Sequence, residues 1–260
     1  MNILIVSASM GAGHNGAANE LKRRLERDGH SATTVDFLDA IPARAGVLVR
    51  LGYEWELKLA PWSYEATYRL WMALPFLTGP LVAFIGLLTA RRLRRLVNDA
   101  EADAVVSTYP LASLVFGRMR RQGRIRVPVM TFVTDFAVHP LWTHPGVDLH
   151  LAVHPYAAAA ASRRAGGRAA APGPLVPERF TARLPDRGAA RARLGLPDDM
   201  PVVLLVAGSW GIGNLERTFD EVAGCGRFFP LAVCGSNERL RRRLTAKGVG
   251  KVLGWTDEMP

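Results

Sequence analysis

A histidine directly after closely spaced glycines is the most chemically suggestive feature of the sequence. Gly11 and Gly13 precede His14 in a small-residue loop, between the apolar run 3–7 and the helical pattern 17–28. Glycines at such a turn let backbone N–H groups approach an oxyanion or a sugar, and a helix N-terminus adds partial positive charge. An imidazole titrates near neutral pH, so His14 can serve as a general base for a hydroxyl nucleophile. The alternative is that His14 only caps the helix.

An acid and a second histidine follow another apolar strand pattern. Asp135 and His139 lie in residues 133–142, where we expect the crevice edge of an open sheet. Asp135 can orient a histidine or bind a hydroxyl, and His139 can contact an acceptor hydroxyl or a phosphate. The alternative for Asp135 is hydrogen bonding that only stabilises its loop.

A second glycine-rich loop follows the apolar strand pattern 201–207 and opens a helical pattern over 215–224. This loop contains Gly208, Ser209, Gly211 and Gly213. A diphosphate at the helix N-terminus is the physical expectation for such a loop. The alternative is a tight strand-to-helix turn that holds no ligand.

Two other ligand patterns deserve comparison with these loops. Four histidines follow one another at His139, His144, His150 and His154, but their spacings match no zinc pattern and neither cysteine is nearby, so we predict no metal site. The glycines at 11, 13 and 16 fit a dinucleotide fingerprint, and Asp36 lies where a ribose-binding acid is expected. A dinucleotide-dependent oxidoreductase is therefore one alternative function.

The alternation of strand and helix patterns predicts an α/β protein with two Rossmann-like domains and parallel sheets. We place the domains at 1–170 and 171–260, with a Pro-, Gly- and Ala-rich linker over 169–186. The second domain shows only three strand patterns, at 201–207, 229–234 and 251–253. We therefore expect it to be incomplete and the chain to be C-terminally truncated.

The segment 42–100 interrupts this alternation. No charged residue occurs over 70–90, and four arginines follow, at Arg91, Arg92, Arg94 and Arg95. We expect two short apolar segments bent near Gly79 and Pro80, because these residues disfavour one straight spanning helix. An insert near 70–95 can be buried against the core or a partner, lie in a membrane interface with its arginines on anionic headgroups, or span the membrane.

Composition narrows the partners and the compartment. The net charge of +10 favours an anionic partner, which can be nucleic acid, an acidic lipid surface or a phosphorylated substrate. The basic helical pattern 238–247 lacks the interleaved aromatic residues of a single-strand binder, so we predict no nucleic acid. Two cysteines and the absence of a signal-peptide pattern indicate a reduced, cytoplasmic protein.

Taken together, the motifs resemble those of the monogalactosyldiacylglycerol synthases and processive diacylglycerol glucosyltransferases. These enzymes have the GT-B fold and are related to the peptidoglycan UDP-N-acetylglucosamine transferase. The matching segments run in the family's order over the whole chain: 11–14, 133–136 with His139, Pro140 and Trp142, 146–148, 173–176 with Phe180, 208–213, 233–235 with Asn237 and Glu238, and 254–257.

The resemblance implies inverting transfer of a sugar from a UDP-sugar to a lipid hydroxyl, without a metal or another cofactor. The first domain then binds the acceptor, and its apolar insert resembles the family's membrane-docking region on the inner face of the cell membrane. We predict His14 and Asp135 as catalytic residues, and Gly11, Gly13, His139 and Trp142 as acceptor-binding residues. Donor-binding residues are then Gly208, Ser209, Gly211, Gly213, Asn237, Gly254, Trp255 and Thr256.

The family's second domain continues further, with a Glu-containing segment that holds the ribose and a helix that returns to the first domain. We expect both to be missing here. Besides the oxidoreductase, the alternative to a lipid glycosyltransferase is therefore a non-catalytic remnant that binds membrane lipid.

Overall fold

The computed structural model describes all residues except 43–44, 60–62, 64–65, 67–68, 71–72, 181–185, 210–212, 258 and 260. The chain divides into two compact units, Met1–Val176 and Pro177–Pro260. The division falls slightly after the predicted boundary, because the segment before it still packs on the first unit. For example, Arg24 Nη2 donates a hydrogen bond to the Val176 carbonyl at 2.9 Å.

The first unit is built on a six-stranded, all-parallel sheet in the order β2-β1-β3-β4-β5-β6. Its strands are β1 (Asn2–Ser7), β2 (Ser31–Asp36), β3 (Ala104–Ser107), β4 (Val129–Val133), β5 (Leu149–Ala152) and β6 (Ala169–Ala170). β1 and β3 are buried along almost their whole length, which explains why they read as continuous apolar runs. The two-residue β6 lies within the stretch predicted to be linker.

The helices of this unit are α1 (Ala12–Arg27), α2 (Ala45–Leu59), α3 (Thr78–Asp99), α4 (Pro110–Arg121) and α5 (Pro155–Ala165). Short 3₁₀ helices occupy Phe37–Ala40, Pro75–Leu77 and Pro140–Trp142. α1 begins before the predicted residue 17, because Gly11 occupies its N-cap position with a φ of 83°. His14 therefore lies in the first turn of α1 and not in a loop.

α3 corrects the prediction of two segments bent near Gly79 and Pro80. The helix is continuous from Thr78, and both residues lie in its first turn, where a proline displaces no intrahelical hydrogen bond. One face of α3 packs in the core, with Leu93 fully buried, whereas Leu87 on another face is 80% exposed. No helix among the described residues is long and apolar enough to cross a membrane.

The second unit carries a three-stranded parallel sheet in the order β7-β8-β9. Its strands are β7 (Val202–Val206), β8 (Phe229–Val233) and β9 (Lys251–Leu253), and its helices are α6 (Arg187–Leu194), α7 (Leu215–Gly224) and α8 (Glu238–Ala246). Phe219, Leu240 and Leu244 form its core with strand residues. α6 was not predicted, although Asp186 at its N-cap and Gly195 at its C-cap mark its ends.

A buried polar pair stands out in the core of the first unit. His150 and Thr131 face each other in the β4–β5 register and are both fully buried. Neither His150 ring nitrogen, nor the Thr131 hydroxyl, has a hydrogen-bond partner among the described residues. An unsatisfied buried polar group costs about 1–3 kcal/mol.

We predict that His150→Leu leaves the protein as stable as the natural chain or more stable at pH 7, because an apolar side chain of similar volume removes this cost. Burial lowers the pKa of His150 below its usual 6.5, and burial with nearby arginines lowers that of His144 to about 4. Above pH 6.5 both rings are neutral in the folded protein and in the unfolded chain. Below pH 6.5 the unfolded chain binds protons more readily than the folded protein, so the free energy of unfolding falls as the pH falls.

Denaturant unfolding of both proteins between pH 7.5 and about 4.5 measures this effect. The natural chain should lose stability as the pH falls, and His150→Leu should lose less. Two results together would contradict this explanation of His150: a His150→Leu variant that is less stable than the natural chain at pH 7, and a free energy of unfolding that depends on pH as it does in the natural chain.

Candidate active site

The candidate site lies at the carboxyl edge of the first sheet. β1, β3, β4 and β5 are neighbours and parallel, so the loops that leave them emerge at one edge. The register places Val6 beside Ser107, and Val133 beside Ala152. The segments that follow these strands carry His14, Tyr109, Asp135 and His154.

His14 is held by residues from two other loops. Its Nδ1 lies 3.4 Å from the Thr134 hydroxyl oxygen, and Thr108 Oγ1 donates to the His14 carbonyl at 3.2 Å. Its ring meets Tyr109 edge-on, with centroids 5.4 Å apart, and lies 5.9 Å from the ring of Trp142. The N-cap is Gly11, and no side chain caps α1 there. The helix-cap alternative for His14 therefore does not describe its contacts.

Asp135 links the other predicted residues of this loop. Trp142 Nε1 donates a hydrogen bond to Asp135 Oδ2 at 2.8 Å, and His139 Nε2 lies 3.6 Å from the same oxygen. Trp142 is fully buried, in a core cluster with Val133 and Val138. Asp135 thus both stabilises its loop and orients a histidine, so the two roles left open by the sequence coexist.

The electrostatics keep His14 neutral and Asp135 charged at pH 7. Burial lowers the pKa of His14, and the negative charge of Asp135 partly opposes this. Partial burial acts to raise the pKa of Asp135, but hydrogen bonds from His139 and Trp142 outweigh it and the pKa is lowered. The backbone of Thr108 also forms a hydrogen bond with the imidazole, which acts to raise its pKa. In the tautomer that carries its proton on Nδ1, toward Thr134, the lone pair on Nε2 can accept a proton.

The glycines before and after His14 differ in their constraints. Gly11 needs its positive φ, whereas a Cβ at Gly13 or Gly16 would meet no atom within 4 Å. The protein interior therefore does not require glycine at 13 or 16. Asp36 accepts hydrogen bonds from the backbone N–H groups of Ser9 and Leu38, one on each carboxylate oxygen. Asp36 thus supports the turn, which weakens the dinucleotide interpretation.

The remaining histidines are engaged in local structure. His144 Nδ1 accepts a hydrogen bond from the Gly146 N–H, and His154 Nδ1 accepts one from the Tyr156 N–H. His150 is in the core. Within the described ranges, no three His, Cys, Asp or Glu side chains are grouped to hold a metal ion.

In the second unit, the predicted donor-binding residues follow the carboxyl ends of β7, β8 and β9. Gly208 and Gly213 have positive φ values of 69° and 112°, whereas Gly211 lies outside the described residues. The Ser209 carbonyl accepts hydrogen bonds from the Ser236 N–H at 2.9 Å and the Ser236 hydroxyl at 2.8 Å. These bonds tie the loop after β7 to the loop after β8.

Gly235, which the sequence did not single out as a site residue, makes this junction possible. Its φ is +58°, and a Cβ there would overlap the Gly208 carbonyl. Its signal was a glycine directly after a strand pattern. Asn237 Oδ1 accepts a hydrogen bond from the Leu240 N–H at 2.9 Å and so caps α8. Trp255, in the turn after β9, is exposed.

Comparison with solved structures identifies the fold class. The glycosyltransferase from Rickettsia africae matches with a TM-score of 0.52 and 13% identity, over 99% of this chain and 69% of that one. MurG from Acinetobacter baumannii matches with a TM-score of 0.51 and 15% identity, over 100% of this chain and 68% of that one. Anabaena HepE in complex with UDP-glucose matches with a TM-score of 0.53 and 16% identity, over 98% of this chain and 69% of that one. The fold is that of the GT-B glycosyltransferases, which confirms the predicted fold class.

Residues 14–168 match the family model described as monogalactosyldiacylglycerol (MGDG) synthase. The chain therefore belongs to the MGDG synthase family, as its motifs suggested. A probable MGDG synthase of Nicotiana tabacum is 27% identical over 94% of this chain and 48% of its own length. The processive diacylglycerol β-glucosyltransferase of Bacillus subtilis is 26% identical over 65% of this chain and 46% of its own length. The chain spans about half the length of these relatives.

We predict that Asp135→Asn lowers the pKa of His14 further, because the carboxylate charge that opposes the effect of burial is lost. The titration of the His14 ring by NMR measures this shift. Asp148→Asn is the matched control: Asp148 pairs with Arg120 and makes no contact with His14. An unchanged His14 titration in Asp135→Asn would contradict the proposed coupling.

Proposed function

We propose that this chain takes part in transfer of a sugar from a UDP-sugar to a lipid hydroxyl of the diacylglycerol type. The observation that carries the proposal is the half-buried, neutral His14 at the carboxyl edge of the sheet, close enough to the ionised Asp135 for that charge to act on the His14 pKa. This pair suits removal of a proton from an alcohol, and the relatives in the family are named for glycosyl transfer to such lipids.

In the proposed step, the acceptor hydroxyl gives its proton to His14 Nε2 as its oxygen attacks the anomeric carbon of the donor sugar. The bond from that carbon to the UDP oxygen breaks, and UDP leaves with the electron pair. A single displacement of this kind inverts the anomeric centre. Asp135 stabilises the imidazolium as it forms, and in this tautomer the Nδ1 proton points toward the Thr134 hydroxyl.

The acceptor is proposed to bind the first unit, at Gly11, Gly13, His139 and Trp142. Open space over Gly13 supports this, because a ligand can approach the backbone where a Cβ would meet nothing of the protein. Donor binding is proposed for the second unit. The glycine turn ahead of α7 presents a helix N-terminus to a diphosphate, and the loops tied through Ser209 and Ser236 form its surroundings.

A membrane surface is the proposed location of the acceptor. α3 exposes Phe84, Leu87 and Leu88, and its next turns carry Arg91 and Arg92 beside a cavity of about 430 Å³. No ion pair joins these two arginines to any described residue. Apolar side chains followed by free cations suit insertion at an anionic bilayer surface, proposed as the cytoplasmic face of the cell membrane.

In an assay for transfer of sugar from a UDP-sugar to diacylglycerol in anionic vesicles, we expect His14→Ala to lose about 10²–10⁴-fold in rate, because its general base is removed. Radiolabelled donor and lipid extraction measure the product. His30→Ala, in the turn after α1, is the control and should keep its activity. Equal rates for His14→Ala and the natural chain would refute the proposed base.

The glycines of α1 provide a second control on the same reaction. Gly13→Ala and Gly16→Ala each remove a glycine from a helix, so each should stabilise the protein by about 0.5–1 kcal/mol. Transfer should fall only in Gly13→Ala, where the new methyl group meets the acceptor. A similar loss in both variants would place the acceptor elsewhere.

Charge removal on α3 should weaken membrane binding. We expect Arg91→Gln with Arg92→Gln to lower co-sedimentation with phosphatidylglycerol vesicles, by about 1 kcal/mol per arginine. Arg163→Gln with Arg164→Gln removes two exposed arginines from α5 and is the matched control. Equal losses in the two double variants would indicate a nonspecific effect of net charge and would contradict docking through α3.

A further inference from the structure

The helical turn that carries His14 has little stability of its own. Gly13 and Gly16 lie on either side of His14 at the start of α1, and glycine is among the residues least suited to a helix. The N-cap is Gly11, and no side chain caps the helix there. A Cβ at Gly13 or Gly16 would meet no atom within 4 Å, so close packing does not confine the backbone at these positions. Bonds to other elements therefore have to fix the position of the proposed base.

Asn15, the residue after His14, ties this turn to the first strand. The hydroxyl of Ser7 donates a hydrogen bond to Asn15 Oδ1 at 2.6 Å, and Asn15 Nδ2 donates one to Ser9 Oγ at 3.3 Å. Ser7 is the last residue of β1, which pairs with a strand on each side, and it is only 1% exposed. The core therefore sets the position of Ser7, and the Asn15 side chain transmits that position to the turn.

The hydrogen bonds continue from this turn to two further strands. The Ser9 N–H donates to Oδ2 of Asp36, the last residue of β2, at 3.1 Å. The Thr108 hydroxyl, directly after β3, donates to the His14 carbonyl at 3.2 Å. Groups at the carboxyl ends of β1, β2 and β3 thus hold the first turn of α1. One side chain, that of Asn15, makes the links to Ser7 and Ser9, so a single substitution can release them both.

We propose that Asn15 is a positioning residue for the proposed base: it holds the backbone at His14 so that the imidazole stays beside Thr134 and Asp135. Asn15 acts through His14 and needs no contact with either substrate. Precise placement matters because a displacement of about 1 Å at a reacting group can cost about 10²-fold in rate. The inference rests on the proposed function and adds to it a residue that acts from outside the reacting groups.

A kinetic measurement tests Asn15 during transfer. Asn15→Ala should lower kcat by about 10–10²-fold and leave KM for the UDP-sugar and for diacylglycerol unchanged, because only the base is displaced. Asn19→Ala is the matched control: Asn19 lies one turn further along α1, is exposed, and forms no side-chain hydrogen bond within the described part of the chain. It should keep the natural kcat. A raised KM with unchanged kcat in Asn15→Ala, or equal losses in the two variants, would overturn the proposal.

An NMR titration of the His14 ring tests the same residue without any transfer reaction. Burial is the largest cause that lowers the pKa of His14 below 6.5. Release of the turn exposes the ring to water, so the pKa should rise toward 6.5 in Asn15→Ala and stay unchanged in Asn19→Ala. The titratable neighbours of the ring are the same in both variants; they are Asp135, His139 and Tyr109. An unchanged His14 titration in Asn15→Ala would refute the positioning role.

A double-mutant cycle tests the route through β1. Ser7→Ala breaks the same hydrogen bond from the strand side and also serves as the second variant if Asn15→Ala is unstable. Ser7→Ala should shift the His14 titration in the same direction as Asn15→Ala. The double variant should shift it no further than Asn15→Ala alone, because residues that act through one bond are not additive. Fully additive shifts would overturn the proposal.

Thermal unfolding separates positioning from a purely structural role. A lower unfolding temperature in Asn15→Ala, together with the natural kcat and the natural His14 titration, would show that Asn15 only stabilises α1 and would overturn the proposal. If the natural chain transfers no sugar, the proposed function fails, whereas the titrations of Asn15→Ala and Ser7→Ala still decide whether Asn15 positions His14.

Discussion

The parallel alignment of β1, β3, β4 and β5 is the constraint on which the rest of the first unit depends. Each strand is followed by a crossover that returns the chain to the same end of the sheet, so every strand leaves its carboxyl terminus at one edge. Residues as distant in sequence as His14 and Thr134 thereby come within 3.4 Å of each other. Without this alignment, neither the environment of the imidazole nor the neighbouring carboxylate would exist.

In the proposed mechanism, the site combines a base that burial keeps neutral with a carboxylate whose charge stabilises that base after protonation. Burial alone would make His14 a weak base, because the imidazolium would be poorly solvated. Asp135 counters this, and its own charge is stabilised by hydrogen bonds from Trp142 and His139. Trp142 is fully buried, so the packing of the core beneath the sheet edge helps to hold the carboxylate in place.

Different faces of α3 lie in two environments, the core and the open surface. Leu93 and Val97 fill the core beside Phe37 and Phe116, while other faces of the same helix leave apolar side chains and arginines in the open. The exposed apolar residues do not stabilise the folded unit, which is the physical reason why we propose that they dock on a bilayer surface.

Local patterns were sufficient to predict the α/β class, every strand except β6 and the two glycine-rich turns. Continuous apolar runs mark strands covered on both faces, and glycines after such runs mark the turns that follow them. Most strand and helix positions agree with the structure for this reason. The structure differs from these predictions at β6, α2 and α6, which were not predicted, and in the extent of two helices. The start of α1 depended on the backbone of Gly11, and the continuity of α3 depended on Gly79 and Pro80 lying in its first turn.

The sequence marked His14, Asp135, His139 and Trp142 as separate candidates, but not their arrangement. Only the tertiary structure joined Asp135 to Trp142 and His139, placed Thr134 beside His14, and engaged Asp36 in a turn. The role of Gly235 was also beyond the sequence, because it depends on the Gly208 carbonyl, which is distant along the chain. Local residue types and spacing fix which groups are available, whereas strand order and register decide which of them meet.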